Sequence, residues 1–183
     1  MANNSKTKVI TGIVRLSYEH VWEPASINGG EPKYSASLII PKSDKKTVKA
    51  IEEAVEAAIT EGIGKFGGKK PNKAALKLPL RDGDTEREDE AYKDAFFINA
   101  NSKTAPQIVD RAVRPILDRN EVYSGCYVRA SISLYAFNSN GNKGVACGLN
   151  NLQKVKDGEP LGGHTSATDD FTALDGADED FLS

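Results

Sequence analysis

Between Val122 and Phe137, apolar side chains fall on nearly every second position. The even positions are Val122, Ser124, Cys126, Val128, Ala130, Ile132, Leu134 and Ala136; the odd ones are Tyr123, Gly125, Tyr127, Arg129, Ser131, Ser133, Tyr135 and Phe137. Successive side chains of a strand point to opposite faces, so the spacing predicts a long strand whose even face meets a core. Asn140-Gly141 then offers two residues suited to the positive φ angles of a type I′ turn. A turn there pairs Ser139 with Asn142, Leu134 with Cys147 and Ile132 with Leu149. It leaves Phe137, Tyr135 and Ser133 opposite Gly144, Ala146 and Gly148. The same register places Cys126 opposite Val155, so no disulfide to Cys147 is expected.

Weaker alternation predicts a strand over residues 8–18, with Ile10, Val14, Leu16 and Tyr18 on one face. A polar, Gly-rich loop is expected from Glu19 to Glu31, carrying Trp22 and Pro24. Lys33 to Ile40 reads as a second strand, with Tyr34, Ala36, Leu38 and Ile40 on one face, ended by Pro41. From Ser43 to about Gly62 the period changes to 3.6. Val48, Ile51, Val55, Ala58, Ile59 and Gly62 make one stripe, Ser43 can cap, and Asp44 suits the positive end of the dipole. Gly67, Gly68 and Pro71 mark a loop, Ala95–Asn101 a short strand, and Pro106–Asp118 a mixed segment. The chain is mainly β with one main helix.

The odd face of the long strand is unusual. Solvated strand faces carry Lys, Glu and Thr, whereas this one carries Tyr127, Arg129, Tyr135 and Phe137 opposite small partners. Aromatic rings with room for flat ligands are what base stacking requires. The alternative is that this face packs against the helix, as in strands covered on both sides.

Charge separates the chain into two parts. All 24 Lys and Arg precede residue 157, together with 18 of the 26 acids; residues 157–183 hold the other eight acids and no Lys or Arg. A basic body with an acidic tail suits a nucleic-acid partner. Residues 65–81 hold six basic side chains and no acid, among them Lys69, Lys70, Lys73 and Lys77. With Arg15, Lys33 and Lys143 they could follow phosphates, which makes binding fall with salt. Trp22 and Tyr34 are further candidate contacts, with packing beneath the loop as the alternative. Residues 158–183 lack an apolar period and are expected to be disordered. They end in Asp178-Glu179-Asp180-Phe181-Leu182-Ser183, a motif able to dock a basic-rimmed apolar pocket on a partner protein. In the empty protein this tail could mimic the nucleic-acid backbone and occupy the groove. The expected organisation is a flexible segment 1–7, a domain 8–157 and the tail 158–183.

Several short motifs occur in order: Arg15-Leu16-Ser17-Tyr18 with Trp22-Glu23-Pro24, Tyr34-Ser35-Ala36-Ser37-Leu38-Ile39-Ile40-Pro41-Lys42, and Leu80-Arg81-Asp82-Gly83-Asp84. Phe97-Ile98-Asn99-Ala100-Asn101-Ser102, Tyr123-Ser124-Gly125-Cys126 and Gly148-Leu149-Asn150-Asn151-Leu152-Gln153 follow. Across about residues 8–163 the chain resembles the phage-encoded single-stranded DNA-binding proteins. The resemblance implies an OB-fold, a five-stranded Greek-key barrel elaborated by a helix and long loops. It also implies binding of single-stranded DNA without sequence preference in phage replication or recombination. The acidic, Phe-bearing ending is similar to tails that contact replication proteins such as a polymerase, helicase or nuclease.

Other chemistry is thinly represented. His20, His164, Cys126 and Cys147 match no zinc spacing, and neither a phosphate-binding GxxxxGK[ST] loop nor a GxSxG elbow occurs. No cofactor, metal or catalytic residue is expected. Asp82, Asp84 and Glu86 offer the alternative of a Mg²⁺-dependent nuclease, and the aromatic face that of a protein-docking module. No segment approaches a membrane span, Met1–Lys8 lacks the apolar stretch of a signal peptide, and the cysteines read as reduced thiols in a cytoplasm.

Overall fold

Strands cover most of the alternating segments, but the long strand starts only at Tyr127: residues 122–126, also expected in it, form a turn in which Gly125 takes φ 116°. The computed structural model describes residues 6–26, 29–161 and 172–174. It contains β1 (Lys8–Ile10), β2 (Val14–Ala25), β3 (Lys33–Pro41), β4 (Leu80–Asp82), β5 (Ala95–Ser102), β6 (Gln107–Val109), β7 (Tyr127–Ser139) and β8 (Asn142–Lys156). The main helix is α1 (Lys45–Glu61), and a single turn α2 (Gly83–Glu86) follows β4. Five strands close a ring. β2 pairs antiparallel with β3, β3 with β5, β8 with β7 and β7 with β2, while β5 meets β8 in parallel. This is the five-stranded barrel of the OB-fold. The short strands β1, β4 and β6 extend it on β7, β5 and β8.

Inward positions of the ring make one core. Val14 and Leu16, Leu38 and Ile40, Ile98 and Ala100, Val128 to Leu134 at even positions, and Cys147, Leu149 and Leu152 are all buried together. Helix α1 adds Ile51, Ala54, Val55, Ala58 and Ile59 to the same core. The helix therefore packs on the even face of β7, and the odd face stays outside. Its cap is Asp44, whose carboxylate accepts the Thr47 N–H at 3.2 Å, not Ser43. A second cluster lies on the outer side of the sheet: Ile39, Tyr92, Ala95 and Phe97, with Leu161 against it. Tyr92 is fully buried, and its hydroxyl hydrogen bonds with Ser17 Oγ (2.9 Å) and Ser37 Oγ (3.3 Å). It anchors the acidic segment 83–94 over the barrel.

The first expected strand divides in two. Thr11 is buried and exchanges hydrogen bonds with the Ala130 backbone, and Gly12 N–H donates to Thr47 Oγ1. Its inward residue is Val9, while Ile10 is 54% exposed. β2 runs on to Ala25 through the stretch expected to be a loop. A bulge between Ser17 and His20 breaks its alternation, which hid the strand from pattern reading. That bulge turns Tyr18 out of the face expected for it; Tyr18 has φ 46° and is 60% exposed. The hairpin register from Ser139–Asn142 to Ile132–Leu149 is as expected, including Phe137–Gly144 and Tyr135–Ala146. Two further shifts then leave Tyr127 opposite Lys156, so the expected Cys126–Val155 pair does not form. Cys126 and Cys147 are both buried free thiols. Among the described residues, no helix is long and apolar enough to cross a membrane.

Candidate functional site

Outside the barrel, one row of register partners crosses six strands: His20, Ser35, Asn101, Gly148, Ser133 and Lys8. At about 4.8 Å per strand its five steps span roughly 24 Å along the surface. Every member is at least partly exposed, while Ala36, Ala100, Leu149 and Val9 beside them point inward. Ser37 faces Asn99 in the parallel row. These small polar side chains form the floor of an open groove of about 670 Å³ over β2, β3 and β5. Tyr18 and His20 stand on one side, with Lys33 and Arg87 also lining it. The Arg87 guanidinium lies 4.7 Å from the Phe97 ring centroid, so the outer cluster fixes its position. β3 and β5, the second and third strands of the barrel, carry the face that OB-folds use for oligonucleotides.

Beyond β8 the floor continues to β7. A Cβ built on Gly148 would lie 3.7 Å from Tyr135 Cε1 and 3.9 Å from Asn101 O. The Tyr135 ring thus stands over Gly148, beside the groove, and is 44% exposed. Asn150 Nδ2 donates to Ser133 Oγ at 2.9 Å and holds this part of the floor. Phe137 is half-buried opposite Gly144. Gly144 is needed there, because a Cβ would come within 2.3 Å of Lys77 O. Lys77 N–H donates to Lys143 O (3.0 Å), and Val145 N–H donates to Lys77 O (2.9 Å). The backbone thereby brings Lys77 and Lys143 together at the tip of the β7–β8 hairpin.

The other expected residues sit in different surroundings. Lys70 and Lys73 both pair with Glu56 on α1, and Lys73 holds that carboxyl below its ordinary range. Lys69 is exposed beside them in sequence. Tyr34 is half-buried opposite Ser102. Trp22 packs on the core, and its Nε1 donates to Val122 O at 3.0 Å. Arg129 is exposed, with Nε donating to Thr11 O at 3.1 Å.

Arg15 and Tyr127 hold the chain itself. The Arg15 guanidinium lies 5.5 Å from the Tyr127 ring and Lys156 Nζ 4.8 Å from it. Arg15 Nε donates to Gly125 O (3.0 Å) and Nη2 to Glu159 O (2.7 Å). Tyr123 bonds Asp157 and Gly158 through its hydroxyl, and Leu161 N–H donates to Ser124 O. Residues 158–161 are therefore strapped to the barrel, past the domain boundary expected at residue 157. Pro160 and Leu161 end in a second groove of about 660 Å³ that also touches Tyr18 and His20. Asp178, Glu179, Asp180 and Phe181 lie outside the described residues.

The acidic residues have structural partners. Lys42 Nζ bridges Asp82 (2.9 Å) and Asp84 (2.7 Å), and Arg81 pairs with Glu86 at 3.0 Å. Asp82 also accepts the Asp84 N–H, and Asp84 the Asp94 N–H. The Lys42 ammonium pulls both carboxyls below their ordinary range. These contacts hold the segment 82–94 to β3 and β5.

Pattern reading missed Tyr18, Arg87 and the small-residue floor. The floor did leave a trace, because Ser35 and Ser37 alternate in one segment and Asn99 and Asn101 in another. That β3 and β5 are neighbours was not visible. Tyr18 left none, since its orientation depends on one backbone angle.

Known proteins share this architecture. The family described as Enterobacter phage Enc34, ssDNA-binding protein, matches residues 7–182. Protein p50 of Acyrthosiphon pisum secondary endosymbiont phage 1 is 32% identical over 182 residues, 96% of this chain and 98% of that protein. The single-stranded DNA-binding protein from bacteriophage Enc34, solved in complex with ssDNA, superposes with a TM-score of 0.74 at 28% identity, covering 86% of this chain and 91% of that one. The single-stranded DNA-binding protein gp2.5 of bacteriophage T7 shares the fold at 14% identity, with a TM-score of 0.61 over 90% and 94% of the two chains. By its match over nearly the whole length, the chain belongs to the family of the Enterobacter phage Enc34 ssDNA-binding protein.

Proposed function

We propose that this chain binds single-stranded DNA without sequence preference and does no chemistry on it. The observation that carries this reading is the row of small polar residues across the barrel, open to solvent and flanked by Tyr135 and Lys33. Such a floor lets bases lie flat against it without matching any one base edge. Tyr135 stacks a base, and Lys33, Lys77 and Lys143 meet phosphates at its margins. Phe137 closes the hairpin end. Arg15 and Tyr127 serve the strap, and Trp22 serves the core.

The acidic tail regulates this site. Its first residues, Pro160 and Leu161, line the second groove together with Tyr18 and His20. Asp178, Glu179, Asp180 and Phe181 compete with phosphates for the basic margin. DNA releases them to recruit replication proteins during phage replication or recombination in the host cytoplasm.

A fluorescence titration with oligo(dT) at several salt concentrations tests the reading on the full chain and on a chain ending at Gly163. The expected result is tight binding that weakens with salt and strengthens on truncation. Affinity unchanged between 50 and 300 mM salt, both set only as test conditions on the order of physiological strength, would count against phosphate contacts. Weaker binding after truncation would remove the competition. Loss of labelled oligonucleotide with Mg²⁺ or Mn²⁺ would instead restore the nuclease alternative.

A further inference from the structure

Tyr18 is costly where it stands. A tyrosine at φ 46° lies in the left-handed region, which side chains other than Gly, Asn and Asp rarely enter. Burial does not compensate, because the side chain is 60% exposed. The bulge that produces this conformation falls at the shift between Ser17 and His20 in the β2–β3 pairing. A bulge re-aims a side chain, and strained, exposed residues cluster at binding sites. Here the re-aimed ring stands between the groove floored by Ser35, Ser37, Asn99 and Asn101 and the groove where Leu161 ends. His20, two residues on, begins the cross-strand row.

We infer that Tyr18 is a base-stacking residue of this groove, held in an unfavourable backbone conformation so that its ring faces the bound nucleotide. The inference rests on the single-stranded DNA reading and assigns a contact that it does not require. Tyr18 and Tyr135 then stand over different parts of one floor, Tyr18 at the β2 edge and Tyr135 above β8.

The test compares Tyr18→Asn and Tyr18→Phe with the unsubstituted full chain. Asn accepts the left-handed conformation and has no ring. Tyr18→Asn should keep or raise Tm while weakening oligo(dT) binding about 5- to 150-fold, the range for one stacked base. Tyr18→Phe should bind within about twofold of the unsubstituted chain, since stacking needs the ring and not the hydroxyl. Unchanged affinity in Tyr18→Asn overturns the assignment, as does a fall in Tm with no ring-dependent loss of binding. Photocrosslinking of the unsubstituted chain to an oligonucleotide carrying 5-iodouracil gives a second readout that needs no variant. An adduct on Tyr18 supports the inference, and adducts elsewhere without one there overturn it. If the unsubstituted chain does not bind oligo(dT), the single-stranded DNA reading fails first, and the inference with it.

Discussion

Tyr135 isolates the energetic value of one ring, because it is exposed and packs over a glycine. Tyr135→Ala should cost about 1–3 kcal/mol in oligo(dT) binding, measured by titration, with little change in Tm. Trp22→Phe should behave in the opposite way. It removes the hydrogen bond to Val122 O and should lower stability by about 1 kcal/mol, with oligo(dT) affinity unchanged. Cys147 supplies a third check. Burial pushes its thiol up to about 12, so thiol reagents at neutral pH should label it only after unfolding. The sequence showed which aromatic rings lie on the odd face of β7. It could not show which remain free, because Tyr127 is engaged by Arg15 and Gly158 from segments more than thirty residues away in either direction. An arginine beside a tyrosine looks the same in sequence whether it grips DNA or its own chain.

At the level of elements, two attachments shape the site. The Gly144 contact sets the hairpin tip against Lys77, and Gly144→Ala should push that segment away. Stability and oligo(dT) affinity should fall together, because Lys77 and Lys143 separate. The second attachment is the Lys42 bridge to the acidic segment. Asp82 and Asp84 titrate below the ordinary value of 3.8, so their stabilising contribution is complete at neutral pH and disappears as pH falls through the acid range below about 4. Lys42 is raised above 10.5 by the same carboxylates, so its contribution fades only in strong alkali. Limited proteolysis across residues 83–94 should therefore quicken between neutral pH and pH of about 3, before the barrel unfolds. The helix and the hairpin were legible because each repeats one period over a dozen residues or more. The second half of β2, from Glu19 to Ala25, was not, since the bulge interrupts the alternation, and the segment 83–94 was not, since only Tyr92 within it is a large buried side chain.

For the whole molecule, the separation of charge predicts how the tail's effect varies. On the proposed competition of tail and DNA for the same cations, both attractions are screened. The affinity gap between the full chain and the chain ending at Gly163 should narrow as salt rises, measured by parallel titrations. A constant gap would mean that the tail acts by something other than charge. The ring order of the barrel was not legible from the periodicities, because the pairings that close it join distant segments, Val14 to Val128 and Arg15 to Tyr127. The strap adds a tie from Arg15 to Glu159, separated by 144 positions. That closure has a kinetic consequence. During synthesis from the N-terminus, β2 must wait with Val14 and Leu16 uncovered until β7 has emerged, and Arg15 waits longer still for Glu159. A barrel closed by pairing its first long strand with the first strand of its C-terminal hairpin pays most of its loop-closure entropy before the ring can form. Folding should thus be a late, all-or-none event on the millisecond-to-second scale of non-local β topologies. A nascent chain halted before β8 should remain protease-sensitive throughout, helix α1 included.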